Sequence, residues 1–296
     1  MTATDTTTST TRTGSLAPVS RPAVASAEGG AGQALGDAFI MAGRNIRRLL
    51  RAPDQVVFAL VSPIMFTLLF RYVFGGAIGG LNGIDYATYL IPGIAVQTAI
   101  FSAGTTGFAL ADDLSKGFVD RLRSLPMARS AVLAGRVICD TLNNAVGVII
   151  IVSVGLLVGF RPSGVGGLLL GILLLLGFAL SASFIFALVG MSVSSVEAVN
   201  AATFPVVFPL TFASTAFVPV ATMPSWLQGF ATYQPFSVVV SAFRSLVIGD
   251  ISPQAREALF AGQGTTSLVL QSVGWTIALC VVFGSLAVRK YRGLTR

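Results

Sequence analysis

The chain has 296 residues, of which 54% are hydrophobic and 10% charged, and its mean hydropathy is +0.82. Soluble domains carry about 25% charged residues, so this chain lacks the polar surface to coat a water-soluble globule, and its natural solvent is lipid. The net charge of +7 is spread between apolar segments instead of gathered in one dense run, a pattern that argues for loops beside an anionic membrane leaflet and against nucleic acid as a partner.

Histidine is absent, which removes the usual general base, proton shuttle and commonest metal ligand. The two cysteines, Cys139 and Cys280, lie in or beside apolar stretches and read as small buried hydrophobes, with no disulfide framework implied.

Residues 1–35 are rich in Thr, Ser, Ala, Gly and Pro without helical or strand period; the expectation is a disordered tail. It is not read as a signal peptide, because no apolar core follows a basic start. From 36 to 52 the pattern changes. Phe39, Ile40, Ile46, Leu49 and Leu50 fall near helical spacing, with Arg44, Arg47, Arg48 and Arg51 among them. A basic amphipathic helix in the headgroup region fits, with a plain solvated extension as the alternative.

A bilayer core about 30 Å thick needs about 20 apolar residues in a helix. Six stretches qualify: about 55–74, 88–111, 133–160, 166–191, 199–220 and 267–288. The third begins with Arg136 and Asp140, one helical turn apart and able to pair, followed by Asn143 and Asn144. That end is expected in the headgroup zone or packed inside the protein. Gly147, Gly155 and Gly159 form a small-residue stripe suited to close helix approach. Pro205 and Pro209 in the fifth stretch, and Pro63 in the first, predict disturbed helices. The fifth is thereby a candidate cavity wall.

Residues 218–266 hold apolar runs too short to span, broken by Pro219, Pro224, Pro235 and Gly249. One or two re-entrant or interfacial half-helices are expected, with Trp226 and Tyr233 suited to the interface.

Thirteen Lys and Arg fall on one face of this topology (Arg44, Arg47, Arg48, Arg51, Lys116, Arg121, Arg123, Arg129, Arg136, Arg289, Lys290, Arg292, Arg296) and four on the other (Arg71, Arg161, Arg244, Arg256). The excess of positive charge on cytoplasmic loops then places both termini in the cytoplasm, a parity that six spans satisfy.

Chemistry is limited by what is missing. The sequence has no Gly-x-x-x-x-Gly-Lys-Ser/Thr phosphate loop, no His-Glu-x-x-His and no Cys-x-x-Cys. The acids nearest the spans, Asp112, Asp140 and Glu197, fall near cytoplasmic ends, so neither an intramembrane aspartyl enzyme nor an ion-coupled carrier is favoured. If the protein moves a solute, the energy comes from elsewhere. The segment 112–136, DDLSKGFVDRLRSLPMARSAVLAGR, carries Leu114, Phe118 and Leu122 at four-residue spacing. It describes a short amphipathic helix ended by Leu125 and Pro126, docked in a partner's groove or lying on lipid.

The stretch KGFVDRLRSLPMARSAVLAGR resembles the cytoplasmic segment of the ABC type-2 permease family, in its daunorubicin-resistance-like branch. FVPVATMPSWLQGFATYQPFSVVVSAFRSL is similar to that family's external segment between the last two spans, about 90 residues on. The resemblance covers roughly 36–292 and implies an all-α membrane protein. That fold has six transmembrane helices, an N-terminal interfacial helix, a cytoplasmic coupling helix and external re-entrant half-helices at Met223–Gly229 and Pro235–Leu246. Residues 36–292 would form one permease domain, with 1–35 and 293–296 as cytoplasmic tails.

The resemblance further implies the membrane half of an ATP-driven exporter in the cytoplasmic membrane. Two permease chains, identical or related, would pair with two separate ATPase subunits. ATP and Mg would be held by those subunits and no cofactor by this chain. Matched residue by residue, the coupling role falls on Gly117, Phe118, Arg121, Leu122 and Pro126. The family often carries an acid where Ser115 or Lys116 stands, so the polarity of that contact differs here. The family's cavity lies between the second and fifth spans, where this chain offers Gln97, Thr98, Phe101, Thr105, Asn200, Thr203, Phe204 and Phe208. Aromatics with a few polar groups suit a hydrophobic drug or a lipid-like solute. A stand-alone secondary transporter is the alternative function, and a membrane-embedded transferase or scaffold a further one.

Overall fold

The computed structural model describes residues 53–75, 84–116, 129–193 and 195–294. The N-terminal tail, the basic segment 36–52 and the expected coupling residues Gly117, Phe118, Arg121, Leu122 and Pro126 lie outside them. The regular structure of the described residues is all-helical: α1 (Pro53–Leu69), which runs on as a π-helical turn over Phe70–Phe74, α2 (Tyr86–Ser115), α3 (Arg129–Leu157), α4 (Val165–Gly190), α5 (Val196–Phe212), a 3-10 turn (Val220–Thr222), α6 (Ser225–Tyr233), α7 (Pro235–Ile248), α8 (Pro253–Phe260) and α9 (Thr265–Leu294).

Within these residues, four stretches are helical, long and apolar enough to cross a membrane: Tyr86–Ser115, Arg136–Leu157, Val165–Gly190 and a C-terminal stretch within Pro253–Tyr291. Val61–Val73, Val196–Phe212 and Pro235–Ile248 are apolar but shorter.

The helix ends follow local chemistry. The Asp85 carboxylate accepts from the Ala87 N–H at 3.3 Å to cap α2, and the Ser195 hydroxyl accepts from the Ala198 N–H at 3.2 Å to cap α5. At the other end of α3, the Phe160 N–H reaches back to the Gly155 carbonyl at 2.8 Å while Gly159 takes φ +108°. Glycine is the residue that tolerates this backbone, and it closes the helix in the manner of a Schellman cap. Gly159 therefore terminates α3, where the sequence had suggested a member of a packing stripe. Gly155 does pack, against the Ile91 side chain.

α5 runs unbroken through Pro205 and Pro209 but stops at Phe212, eight residues short of the expected span. The chain then unwinds over 213–219, and its freed carbonyls find side-chain donors. Tyr89 Oη donates to the Thr215 carbonyl at 2.8 Å and Gln234 Nε2 to the Ala213 carbonyl at 2.7 Å. Arg244, on α7, donates from Nε to the Tyr89 carbonyl at 2.9 Å and from Nη2 to the carbonyls of Thr215 and Ala216 at 3.0 and 3.3 Å. Its guanidinium lies 3.6 Å from the Tyr89 ring centroid, a cation–π contact. Arg244 is wholly buried, so it is not the loop charge that the charge count made of it. It staples α7, α2 and the unwound segment together.

The main core runs along α2, α4 and α7, with Tyr89, Ile94, Ala99, Leu175, Phe178, Val239 and Phe243 all buried. Close packing of α2 on α4 depends on glycine. A Cβ at Gly190 would meet the Gly107 carbonyl, and one at Gly107 would meet the Phe186 carbonyl at 2.7 Å. A smaller cluster of Leu110, Val137, Ala187, Met191, Ala287 and Tyr291 joins α2, α3, α4 and α9 where α2 ends and α3 begins.

Two short helices, α6 and α7, stand where half-helices were expected, and α6 leaves Trp226 and Tyr233 exposed. A third, α8, was not foreseen. Ser252 caps it by accepting from the Ala255 N–H at 3.2 Å, and Pro253 fills its first position.

Candidate functional site

α1, α2, α3 and α5 line a half-open cavity of about 600 Å³, within the range of small-molecule sites. One wall is aromatic. On α5, Phe204, Phe208 and Phe212 recur every four residues, which places them on one helix face. Their ring centroids are 6.2 and 4.4 Å apart, and Phe204 is 6.0 Å from Phe101 on α2. The chain of rings continues through Phe217 and Phe70 to Phe66 on α1, with steps of 5.3, 4.7 and 6.0 Å. Phe204 and Phe208 remain 53% and 46% exposed, which leaves ring faces open for a flat apolar molecule.

A second wall is polar. Asp140, Asn143, Asn144 and Gly147 on α3 follow the spacing of one helix face and all line the cavity, as do Arg136 one turn earlier and Gln97 and Thr98 on α2. Asp140 is 4% exposed. Its Oδ2 accepts from the Thr106 hydroxyl at 2.6 Å and from Arg136 Nε at 3.2 Å. The expected one-turn pair thus forms, and of the two settings foreseen for this end of α3, the interior is the one observed. A buried carboxylate persists when its charge is matched and hydrogen-bonded. Arg136 and Thr106 meet both conditions, so the wall is polar but close to neutral. Asn144 is 2% exposed, and neither Oδ1 nor Nδ2 of its amide has a hydrogen-bond partner among the described residues.

Of the residues expected at a cavity, the structure brings Gln97, Thr98, Phe101, Thr105, Phe204 and Phe208 to this one. Asn200 and Thr203 are not in its lining. Asn200 is exposed near the start of α5. Thr203 belongs to the neighbouring stripe, with Val199, Val207 and Thr211, which is buried against the bundle. The contributions of α1 (Ser62, Phe66) and α3 were not foreseen. The run Asp140, Asn143, Asn144 in an otherwise apolar span was the available signal for α3. Among the described residues no group of three or more Cys, Asp or Glu is placed to hold a metal ion.

Comparison with known proteins follows the same direction. The family described as "ABC-2 type transporter" matches residues 37–248, more than half of the chain, ending where α7 ends. A daunorubicin resistance ABC transporter permease protein, DrrB1 of Streptomyces coeruleorubidus, is 36% identical over 242 residues, covering 81% of this chain and 80% of the relative. A probable doxorubicin resistance ABC transporter permease protein, DrrC of Mycobacterium tuberculosis strain H37Rv, is 25% identical over 256 residues, or 82% and 84%. A putative transport permease, ycf38 of the alga Porphyra purpurea, is 27% identical over 197 residues, or 66% and 68%.

Proposed function

The chain belongs to the ABC-2 type transporter family, and from that premise we propose that it is the membrane permease of an ATP-driven exporter, with the cavity among α1, α2, α3 and α5 as its solute site. The observation that carries this reading is the cavity's division into an open aromatic wall and a near-neutral polar wall. Such a site suits an amphipathic drug or a lipid-like solute, and two relatives bear the names of drug-resistance permeases.

In this reading α1, α2, α3, α4, α5 and α9 are six spans, both termini are cytoplasmic, and α6 and α7 are external half-helices. Residues 36–292 act as one permease domain of the cytoplasmic membrane, with tails on either side. Two such chains, identical or related, pair with two ATPase subunits that hold ATP and Mg, and this chain hydrolyses nothing itself. Gly117, Phe118, Arg121, Leu122 and Pro126 dock into an ATPase groove at the end of the bundle where α2 stops and α3 starts. Closure of the ATPases on ATP displaces that end, α2 and α3 move as the joined pair they form with α4 at Leu110, Val137 and Ala187, and access to the cavity between them switches. ATP supplies the bias because it binds the two states unequally.

One observation bears on the alternative of a stand-alone secondary transporter. Asp140 sits in the cavity wall, where an ion-coupled carrier places its acid. Its bonds to Arg136 and Thr106 favour a structural role. Vesicles holding the permease alone and the permease with its ATPase separate the two readings. ATP-dependent solute uptake into inverted vesicles only with the ATPase supports the exporter. Uptake without it that collapses on adding an ionophore supports the carrier.

A further inference from the structure

Asn144 is a buried amide in the cavity wall with nothing to bond, and buried polar groups in folded proteins are rarely left so. It stands one turn beyond Asp140 and one residue from Asn143, on the stripe of α3 that faces the cavity. An amide offers a donor and an acceptor side by side, so a single hydroxyl or carboxamide of a bound molecule can engage both. Among the described residues that line the cavity, Arg136 and Asp140 are the only charged ones and already satisfy each other at 3.2 Å, so this wall offers no net charge to a cation or an anion. The Phe204, Phe208 and Phe212 stripe belongs to α5, which has no extensive packing with α3; the cavity lies between the two.

Resting on the reading of this cavity as the solute site, we propose that Asn144 is a specificity residue. It reads an uncharged hydroxyl or amide carried by a solute whose flat apolar body lies against the α5 phenyl rings. The solute class is a neutral, planar amphiphile, and Asn144 separates it from an equally apolar molecule that lacks the polar group, because the empty amide then stays unmatched.

The test uses the permease–ATPase complex in lipid nanodiscs and two probes of one shape, pyrenebutanol and butylpyrene. The reading is the concentration of each that half-maximally stimulates ATP hydrolysis, compared between variants so that lipid partitioning cancels. Asn144→Leu should raise the value for pyrenebutanol by about three- to tenfold, the loss of one or two neutral hydrogen bonds, and leave butylpyrene within about twofold. Asn144→Ala should do the same, and serves if the leucine is not accommodated. Phe208→Ala should raise both values together. If both Asn144 variants move the two probes equally, or neither, while Phe208→Ala moves both, Asn144 is not a specificity residue and the cavity remains the solute site. If Phe208→Ala also moves neither, the solute-site reading fails and takes the inference with it. Stimulation of the wild type by neither probe overturns the solute class.

Discussion

Arg244→Ala tests the staple that holds the unwound end of α5. The side chain is wholly buried and donates to three carbonyls. Truncation leaves a void comparable with that from a large apolar side chain, about 3–5 kcal/mol. Of the three carbonyls, that of Tyr89 lies inside α2 and that of Thr215 keeps the Tyr89 hydroxyl at 2.8 Å. Only the Ala216 carbonyl is left with neither a helical nor a second side-chain bond, at about 1–3 kcal/mol. Against this, a cation with no acidic partner leaves the interior, which recovers several kcal/mol of desolvation. The net expectation is a loss of about 3 kcal/mol. Arg244→Met fills the space and removes the charge, so it should lose less. Arg244→Lys keeps the charge without the planar fork and should be as unstable as the alanine variant. Thermal unfolding of the purified permease in one detergent, followed by monodispersity on size exclusion, gives the order wild type, Met, then Ala with Lys. A lysine variant as stable as wild type, or an alanine variant within about 0.5 kcal/mol of it, refutes the reasoning.

Other outcomes follow from the same geometry. Gly190→Ala places a methyl on the Gly107 carbonyl and should destabilise the α2–α4 crossing by about 1–3 kcal/mol, read as a lower midpoint of thermal unfolding. Phe118→Asp should abolish ATP-driven transport and co-purification of the ATPase, measured by pull-down and vesicle uptake; full transport refutes the coupling role. Asp140→Asn leaves Arg136 uncompensated in the cavity wall. Cationic amphiphiles should then lose affinity by roughly tenfold relative to neutral ones of the same shape, measured by displacement of a fluorescent probe.

Helix positions were legible because apolar length is a direct signature of a span, and the observed helices coincide with the expected spans to within a few residues for α2, α3 and α4. The end of α5 was not. Val218 and Val220 look apolar enough to continue it, but the stop depends on Arg244, Tyr89 and Gln234 arriving from elsewhere in the chain to hold the freed carbonyls. Gly159 shows the same limit, since a glycine four residues from another reads equally as a packing stripe or a helix stop. The start of α8 is marked in the sequence by Ser252–Pro253, a capping hydroxyl followed by a first-turn proline. The phenyl rings of α2 and α5 that the family resemblance pointed to line one cavity. The α3 wall was not foreseen, because a polar run at a span end has no sequence mark that tells an interior face from a headgroup one. Thr203 and Asn200 fall outside this lining for a related reason: residues one and four positions before Phe204 differ in which stripe they occupy and how far along α5 they lie.

The central claim, that this cavity is where an ATP-driven permease holds its solute, is tested most directly by photo-crosslinking in the assembled complex. A neutral, planar amphiphile carrying a diazirine should label peptides containing Phe101, Phe204 or Phe208, with labelling that falls when ATP and vanadate trap the ATPases. Labelling confined to other helices, or unchanged on trapping, contradicts it.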